Sequence, residues 1–306
     1  GTERARMQLD LVAHNAALDA CARGRQPGRA AVMLEEIRRG RLQLDALSVN
    51  TAISARERGS QWQEALHLAH GVWQRGLRPD AVTGSASVSA CEEGRRWLQA
   101  IGVFSALHEL LLEAEVAVHN AAASACEKCQ QWEQSRHLLA LMMLRGPRPD
   151  VITFNSCTSA CKNGFQWRWS VQLFTQAQQE SVEADTIGCN AAMSACEKTL
   201  QWSEAMQFLA GAKRYRLEQD LVTYNGATSA CAKRSEWVPA LRLLGECSAQ
   251  GVRPDPVTSS AALAACRTHG LWRAACSLLA GLVRAGLELQ TTACNAVLGS
   301  LERAGE

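Results

Sequence analysis

Asp150-Val151-Ile152-Thr153-Phe154-Asn155, running on to Ser159-Ala160-Cys161, is the stretch whose reading decides the fold. Its register recurs at Asp10, Asp45, Asp80, Glu115, Asp185, Asp220, Asp255 and Gln290, always 35 residues apart and without an insertion. A fixed period of this length means stacked structural units rather than one globular core. Counted from the residue after each Asp, eight units run 11–45, 46–80, 81–115, 116–150, 151–185, 186–220, 221–255 and 256–290. Residues 1–10 read as the tail of a preceding unit and 291–306 as the start of a ninth. One unit is too small to bury its own apolar face, so stacking on neighbours has to complete the core.

Composition agrees with this reading. Of 306 residues, 47% are hydrophobic and only 7 are Pro, which suits continuous helix. No run approaches the ~20 apolar residues of a membrane-spanning helix, so no membrane association is expected. The chain opens on Gly1 with neither a signal peptide nor an Arg/Ser-rich transit segment, and it stops within a unit at Glu306. It reads as a fragment. Cys21, Cys91, Cys126, Cys161, Cys196, Cys231 and Cys266, seven of the 13 cysteines, share one repeat position. Helices packed roughly 8–10 Å apart keep such equivalents beyond the Cα separation of about 7 Å that a disulfide tolerates. These cysteines therefore read as small buried hydrophobes of a reducing compartment. A net charge of +2 is low for a nucleic-acid binder and counts against that class.

Positions within a unit are numbered from 1, the residue after the Asp, to 35, the next Asp. Positions 2 to about 13 are rich in Ala and small residues, as in Asn190-Ala191-Ala192-Met193-Ser194-Ala195-Cys196. They predict a first helix that lets its neighbours approach closely. Ser48, Thr83, Thr153, Thr223 and Thr258 at position 3 read as its N-caps. Gly24, Gly59, Gly94 and Gly164 at position 14 read as its terminating turn. A second helix starts near position 16, with Trp62, Trp97, Trp132, Trp167, Trp202, Trp237 and Trp272 at position 17. The Trp stripe could serve as a base-stacking platform. Pairs such as Leu173-Phe174 and Leu243-Leu244 six or seven residues later place it in one apolar face, so core packing is the better reading. Segments such as Gly251-Val252-Arg253-Pro254-Asp255 close the unit. The predicted architecture is all-α, a right-handed superhelical solenoid of stacked antiparallel helix pairs.

The period, the two-helix unit and the consensus V-T-Y-N-x-x-x-S-A-C ending in R-P-D resemble the plain 35-residue form of the pentatricopeptide repeat (PPR) family, with Val222-Thr223-Tyr224-Asn225 matching its opening almost letter for letter. The resemblance covers essentially the whole chain. The tetratricopeptide repeat differs in its 34-residue period and its W-x-x-L-G-x-x-Y signature.

Two polar positions recur with the register. Position 5 holds Asn15, Asn50, Ser85, Asn120, Asn155, Asn190, Asn225, Ser260 and Asn295. Position 35 holds Asp45, Asp80, Glu115, Asp150, Asp185, Asp220, Asp255 and Gln290. An Asn amide carries donors and an acceptor and can pair with O4 and N3 of uracil, while a carboxylate only accepts and can orient the amide or a water. Taken singly, these residues are ordinary helix-start residues. Repetition of both at one spacing favours recognition of one base per unit. The resemblance implies that each Asn/Asp pair selects uracil, more weakly cytosine. Ser leans toward purine, and Ser85/Glu115 and Ser260/Gln290 stay unassigned. With the amino end of the protein toward the RNA 5′ end, the implied site is U-U-?-U-U-U-U-?. It also implies that Val12, Leu47, Val82, Ile152, Ile187, Val222 and Val257 at position 2 sandwich the bases, although branched aliphatics on a helix are more usually core.

Arg23, Arg58, Lys128, Lys198 and Lys233 at position 13 are candidates for phosphate contact. A solvated helix end would look the same. Glu93, Asn163 and Thr268 interrupt the set, which predicts release of about five counterions and a shallow salt dependence. The single Cys126-Glu127-Lys128-Cys129 lacks a second ligand pair, and Glu64, His67 and His70 read as helix surface. No catalytic constellation, metal site or cofactor motif is read. The expected function is sequence-selective binding of U-rich single-stranded RNA by a monomer. Family resemblance adds a plastid or mitochondrial address and a role in RNA processing, stabilisation, editing or translation. The rival is a scaffold that holds a protein or peptide in its concave groove; a third arrangement is the targeting arm of an enzyme with a fused effector domain.

Overall fold

The computed structural model describes residues 2–39, 46–59, 61–74, 81–109, 116–180, 182, 185–214, 220–267, 271–284 and 291–305. The chain divides into two compact units, 1–160 and 161–306. The first contains α1 (Thr2–Arg23), α2 (Pro27–Arg39), α3 (Ala46–Arg58), α4 (Trp62–Gln74), α5 (Ala81–Glu93), α6 (Trp97–Glu109), α7 (Val116–Lys128), α8 (Trp132–Arg145) and most of α9 (Val151–Asn163). The second continues through α10 (Trp167–Gln179), α11 (Thr186–Lys198), α12 (Trp202–Arg214), α13 (Leu221–Lys233), α14 (Trp237–Ala249), α15 (Pro256–Arg267), α16 (Trp272–Arg284) and α17 (Thr291–Ala304). Among the described residues there is no strand, and no helix is long and apolar enough to cross a membrane.

Odd-numbered helices stack on one another, α1 on α3, α3 on α5 and α5 on α7 in the first unit, then α11 on α13, α13 on α15 and α15 on α17 in the second. α1, α3, α5, α7, α11, α13 and α15 also pack against the even-numbered helix that follows, as α5 does on α6 and α13 on α14. This is the two-layer, nearest-neighbour arrangement of a helical repeat. Small residues set the spacing of the odd layer: Ala52, Ala55, Ala90, Ala122, Ala125, Ala192 and Ala227 are buried within it. A Cβ on Gly226 would lie 2.7 Å from the Met193 side chain, so glycine at this position makes room for that methionine between α11 and α13. The periodic Cys91, Cys126, Cys196 and Cys231 are fully buried and free. Burial pushes the Cys91, Cys126 and Cys196 thiols up to about 12, as suits inert core residues.

Two local expectations are corrected. The position-3 hydroxyls are not the N-caps of the odd helices. Asp220 and Asp185 are, in extended backbone, with side chains accepting from the N–H groups of Thr223 and Gly188. The aspartate wins because its carboxylate reaches the third N–H of the helix and favours the positive end of the helix dipole. The glycines at position 14 do stand in the turn that ends the helix, as expected, but they are not its left-handed residue. The left-handed residue is at position 15, not 14: Arg25, Arg95, Gln130, Phe165, Leu200 and Ser235 have φ between 51° and 65°. The Gln131 and Glu236 N–H groups donate to the Cys126 and Cys231 carbonyls at 2.9 Å, which closes a Schellman turn on the periodic cysteine. Glycine at position 14 serves close approach instead, since a Cβ on Gly94 would meet Trp62 at 2.4 Å. The tryptophans lie half-buried at the edge of the cores, packed against them at Trp97, Trp167, Trp202 and Trp237. Arg96 lies 4.7 Å over the ring of Trp62.

Candidate nucleic-acid interface

The outer face of the odd-helix layer carries the position-2 side chains. Val12, Leu47, Val82, Ile152, Ile187, Val222 and Val257 are 50–67% exposed. They point away from a core that buries Val49, Ile53, Val88 and Val118 nearby in sequence. Branched aliphatics left in water in seven of the eight repeats, with the exposed Ala117 in the other, leave an apolar row on each unit available to a ligand.

Position 5 lies beside that row, one helical turn further along, buried at Asn50 and half-buried at Asn15, Asn120, Asn155, Asn190 and Asn225. Its amide is held from two sides. Asn120 Nδ2 donates to both carboxylate oxygens of Asp150 at 3.1 Å. Asn190 Nδ2 donates to Asp220 at 2.8 Å, and Asn225 Nδ2 to Asp255 at 3.0 Å. A carboxylate can only accept, so the amide atom facing it is the nitrogen. On the opposite side the position-3 hydroxyl of the next helix donates to the amide oxygen. Thr153 reaches Asn120 at 2.5 Å and Thr223 reaches Asn190 at 2.7 Å, and Thr258 bonds Asn225. Ser48 to Asn15 at 2.6 Å and Thr83 to Asn50 at 2.5 Å repeat the contact. These donors, Ser48, Thr83, Thr153, Thr223 and Thr258, are at most 2% exposed.

The aspartate thus has two duties, capping the next helix and gripping the amide. Burial alone would raise the Asp220 carboxyl, but hydrogen bonds from the Asn190 amide, the Thr223 N–H and hydroxyl and the Val222 N–H hold it below the usual value. Asp255 is lowered in the same way, the Thr258 N–H and hydroxyl and the Asn225 amide outweighing its burial. Both carboxyls are ionised at neutral pH. Each clamped amide keeps one N–H and one oxygen lone pair for a ligand, a donor and an acceptor side by side.

Asp45, Asp80, Glu115 and Gln290 lie outside the described residues, as does Thr268. Asn155 is half-buried on α9, and Asp185 caps α11 through Gly188 at 2.9 Å. Ser85 is half-buried on α5, and Asn295 is exposed on α17. Ser260 turns its hydroxyl back to the Val257 carbonyl at 3.0 Å. Where Ser260 replaces the amide, a cavity of about 590 Å³ opens, lined by Ser229, Lys233, Val257, Ser260, Arg267 and Thr292. It joins a position-5 residue, two position-2 residues and two cations at one place.

The position-13 cations are less free than their sequence implies. Lys128 Nζ is 3.0 Å from Glu92 and 3.3 Å from Glu93, Lys233 is 3.0 Å from Glu197, and Arg23 pairs with Asp19 at 2.7 Å. Ser124 and Ser229 donate to Glu92 and Glu197 at 2.7 Å. Lys198 lies 5.9 Å from the Phe165 ring, and Arg58 is exposed. The position-12 glutamates escaped sequence reasoning. Their signal was the repeated Cys-Glu-Lys of 126–128 and 196–198. Glu64 also has a partner, the Arg56 that stands at the periodic cysteine position and is 7% exposed.

No protein-family model and no curated protein sequence matches the chain. Among solved structures, the crystal structure of the pentatricopeptide repeat protein PPR10 from maize superposes with a TM-score of 0.60 at 17% identity, over 95% of this chain and 52% of that one. The fold is that of the pentatricopeptide repeat. The same PPR protein in complex with an 18-nt psaJ RNA element aligns with a TM-score of 0.47 at 19% identity, over 92% and 46% of the two chains. The chain spans about half the length of that PPR protein. Within the PPR fold, each of the two units brings described copies of positions 2, 5 and 35 together on its odd helices, as at Ile152, Asn120 and Asp150 and at Val222, Asn190 and Asp220.

Proposed function

We propose that this chain binds single-stranded RNA along the exposed face of its odd helices, one base per repeat, with a preference for uracil. The exposed position-2 ladder beside clamped amides carries the reading, because a base needs an apolar surface to stack on and a polar edge to pair with. Asn15/Asp45, Asn50/Asp80, Asn120/Asp150, Asn155/Asp185, Asn190/Asp220 and Asn225/Asp255 read U in the register U-U-?-U-U-U-U-?. The smaller Ser260, with open space around it, admits a larger base. The target is a transcript of a plastid or mitochondrion, and the role lies in its stabilisation, processing, editing or translation.

Fluorescence anisotropy with labelled U, C and A eight-mers at two salt concentrations tests the proposal. Binding should be tightest to U. Asn190→Ser with Asp220→Asn should remove about 1–3 kcal/mol of discrimination, by analogy with bidentate base contacts. Equal and feeble binding to all three would overturn the proposal. The carboxylate-paired lysines favour the second reading, a protein or peptide on the same face, and that outcome would turn the search to such partners.

A further inference from the structure

We propose that the position-3 hydroxyl of the following repeat is a specificity-determining residue, which locks the reading amide in one orientation and so separates uracil from cytosine. The inference rests on the base-reading proposal above. It starts from a pattern in this chain. Wherever the described structure shows a position-5 Asn gripped from behind, the grip comes from Ser48, Thr83, Thr153, Thr223 or Thr258. Where position 5 is Ser85 or Ser260, the corresponding residues are Val118 and Ala293, buried and without a hydroxyl. Asn155 is followed at that register by Gly188.

The geometry gives the hydroxyl its role. A buried Thr223 Oγ1 lies 2.7 Å from Asn190 Oδ1 and 2.8 Å from Asp220 Oδ1, two acceptors that share its one proton, and the nearer of them is the amide oxygen. In the Thr153 and Thr258 copies the oxygen also accepts the N–H of Asp150 at 3.3 Å and of Asp255 at 3.4 Å. The hydroxyl thus belongs to one network with the carboxylate and the amide. Turning the amide over would set its oxygen against a carboxylate that can only accept, stranding both out of reach of water, and the hydroxyl would have to give up its donation to the amide oxygen and accept from the NH2 instead.

Orientation is what tells the two pyrimidines apart. Uracil offers an acceptor at O4 and a donor at N3; cytosine offers a donor at N4 and an acceptor at N3. An amide free to turn serves either base, with its donor and acceptor exchanged. A locked amide serves one. The aspartate supplies half of the lock and the hydroxyl the other half.

The test uses the full chain with Thr223→Val and Thr258→Val together. The probe is labelled U8, against the same eight-mer with cytosine at its sixth and seventh positions, where the repeats holding Asn190 and Asn225 are read. The wild-type ratio of affinities should fall by about fivefold per hydroxyl removed. Thr223→Ser with Thr258→Ser should restore it, while far-ultraviolet circular dichroism stays unchanged. If the Val pair does not fold, Thr153→Val alone, with cytosine at the fourth position, carries the same test. A Val variant that keeps the wild-type ratio would overturn the inference and leave base reading standing. A wild-type chain that binds U8 no better than A8 removes base reading and this inference with it.

Discussion

A single carboxylate shows how burial and charge set behaviour at the residue scale. Burial pushes the Glu57 carboxyl up to about 7, with Arg58 pulling it down and Glu92 and Glu93 pushing it further. Its folded value lies above the unfolded one, so the folded state binds the extra proton. That contribution is fully present below the unfolded pKa near 4.5 and is lost as pH rises through 7. The thermal midpoint should therefore fall between pH 5.5 and pH 8, and Glu57→Gln should flatten that slope. An unchanged slope in the variant would exclude Glu57 as its source. Asp220 has the opposite sign. Its depressed carboxyl adds stability above its unfolded value and loses it only as pH falls through the folded one, well clear of the Glu57 window.

Among elements, the odd helices present two rows with different electrostatics. The Asn/Asp row is internally satisfied and presents a donor–acceptor edge. The position-12 and position-13 row sets two of its lysines against a glutamate of the preceding repeat, Lys128 on Glu92 and Lys233 on Glu197. A phosphate has to displace these carboxylates before it reaches the lysine. Glu92→Gln with Glu197→Gln should tighten binding to U8 and A8 alike. It should also steepen the dependence of log K on log salt by about 0.7 for each lysine released. A gain confined to U8 would show instead that the glutamates touch the bases. Unchanged affinity for both probes would take Lys128 and Lys233 out of phosphate contact.

For the whole molecule, stability is a chain of nearest-neighbour contacts. Met193 is buried in the core shared by α11, α12, α13 and α14, against Gly226 and Tyr224. Met193→Ala should cost about 2–5 kcal/mol. The loss should stay local: amide hydrogen exchange should accelerate in α11–α14 while α3–α8 keep their protection. Simultaneous loss in both regions would show that the chain unfolds as one cooperative body.

The sequence by itself determined the period, the helix pairs, the buried cysteines and the rows at positions 2, 5, 13 and 35. Such features are legible because packing repeats: the same side chain meets the same neighbour every 35 residues, so local chemistry and periodicity agree. Only the tertiary structure decided what each row does. Position-2 aliphatics could have been core, and their exposure is set by which helix face the stack covers. Thr153 and Thr223 looked like caps because a threonine before a helix usually is one. Asp150 and Asp220, three residues earlier, take the cap, and across the interface the hydroxyl holds an amide from the preceding repeat. The lysines looked available until Glu92 and Glu197 came within 3.0 Å from the repeat before. The partners of the amides and lysines lie 30–36 residues away, where propensity and local spacing carry no information and only the stacking of helices brings the groups together.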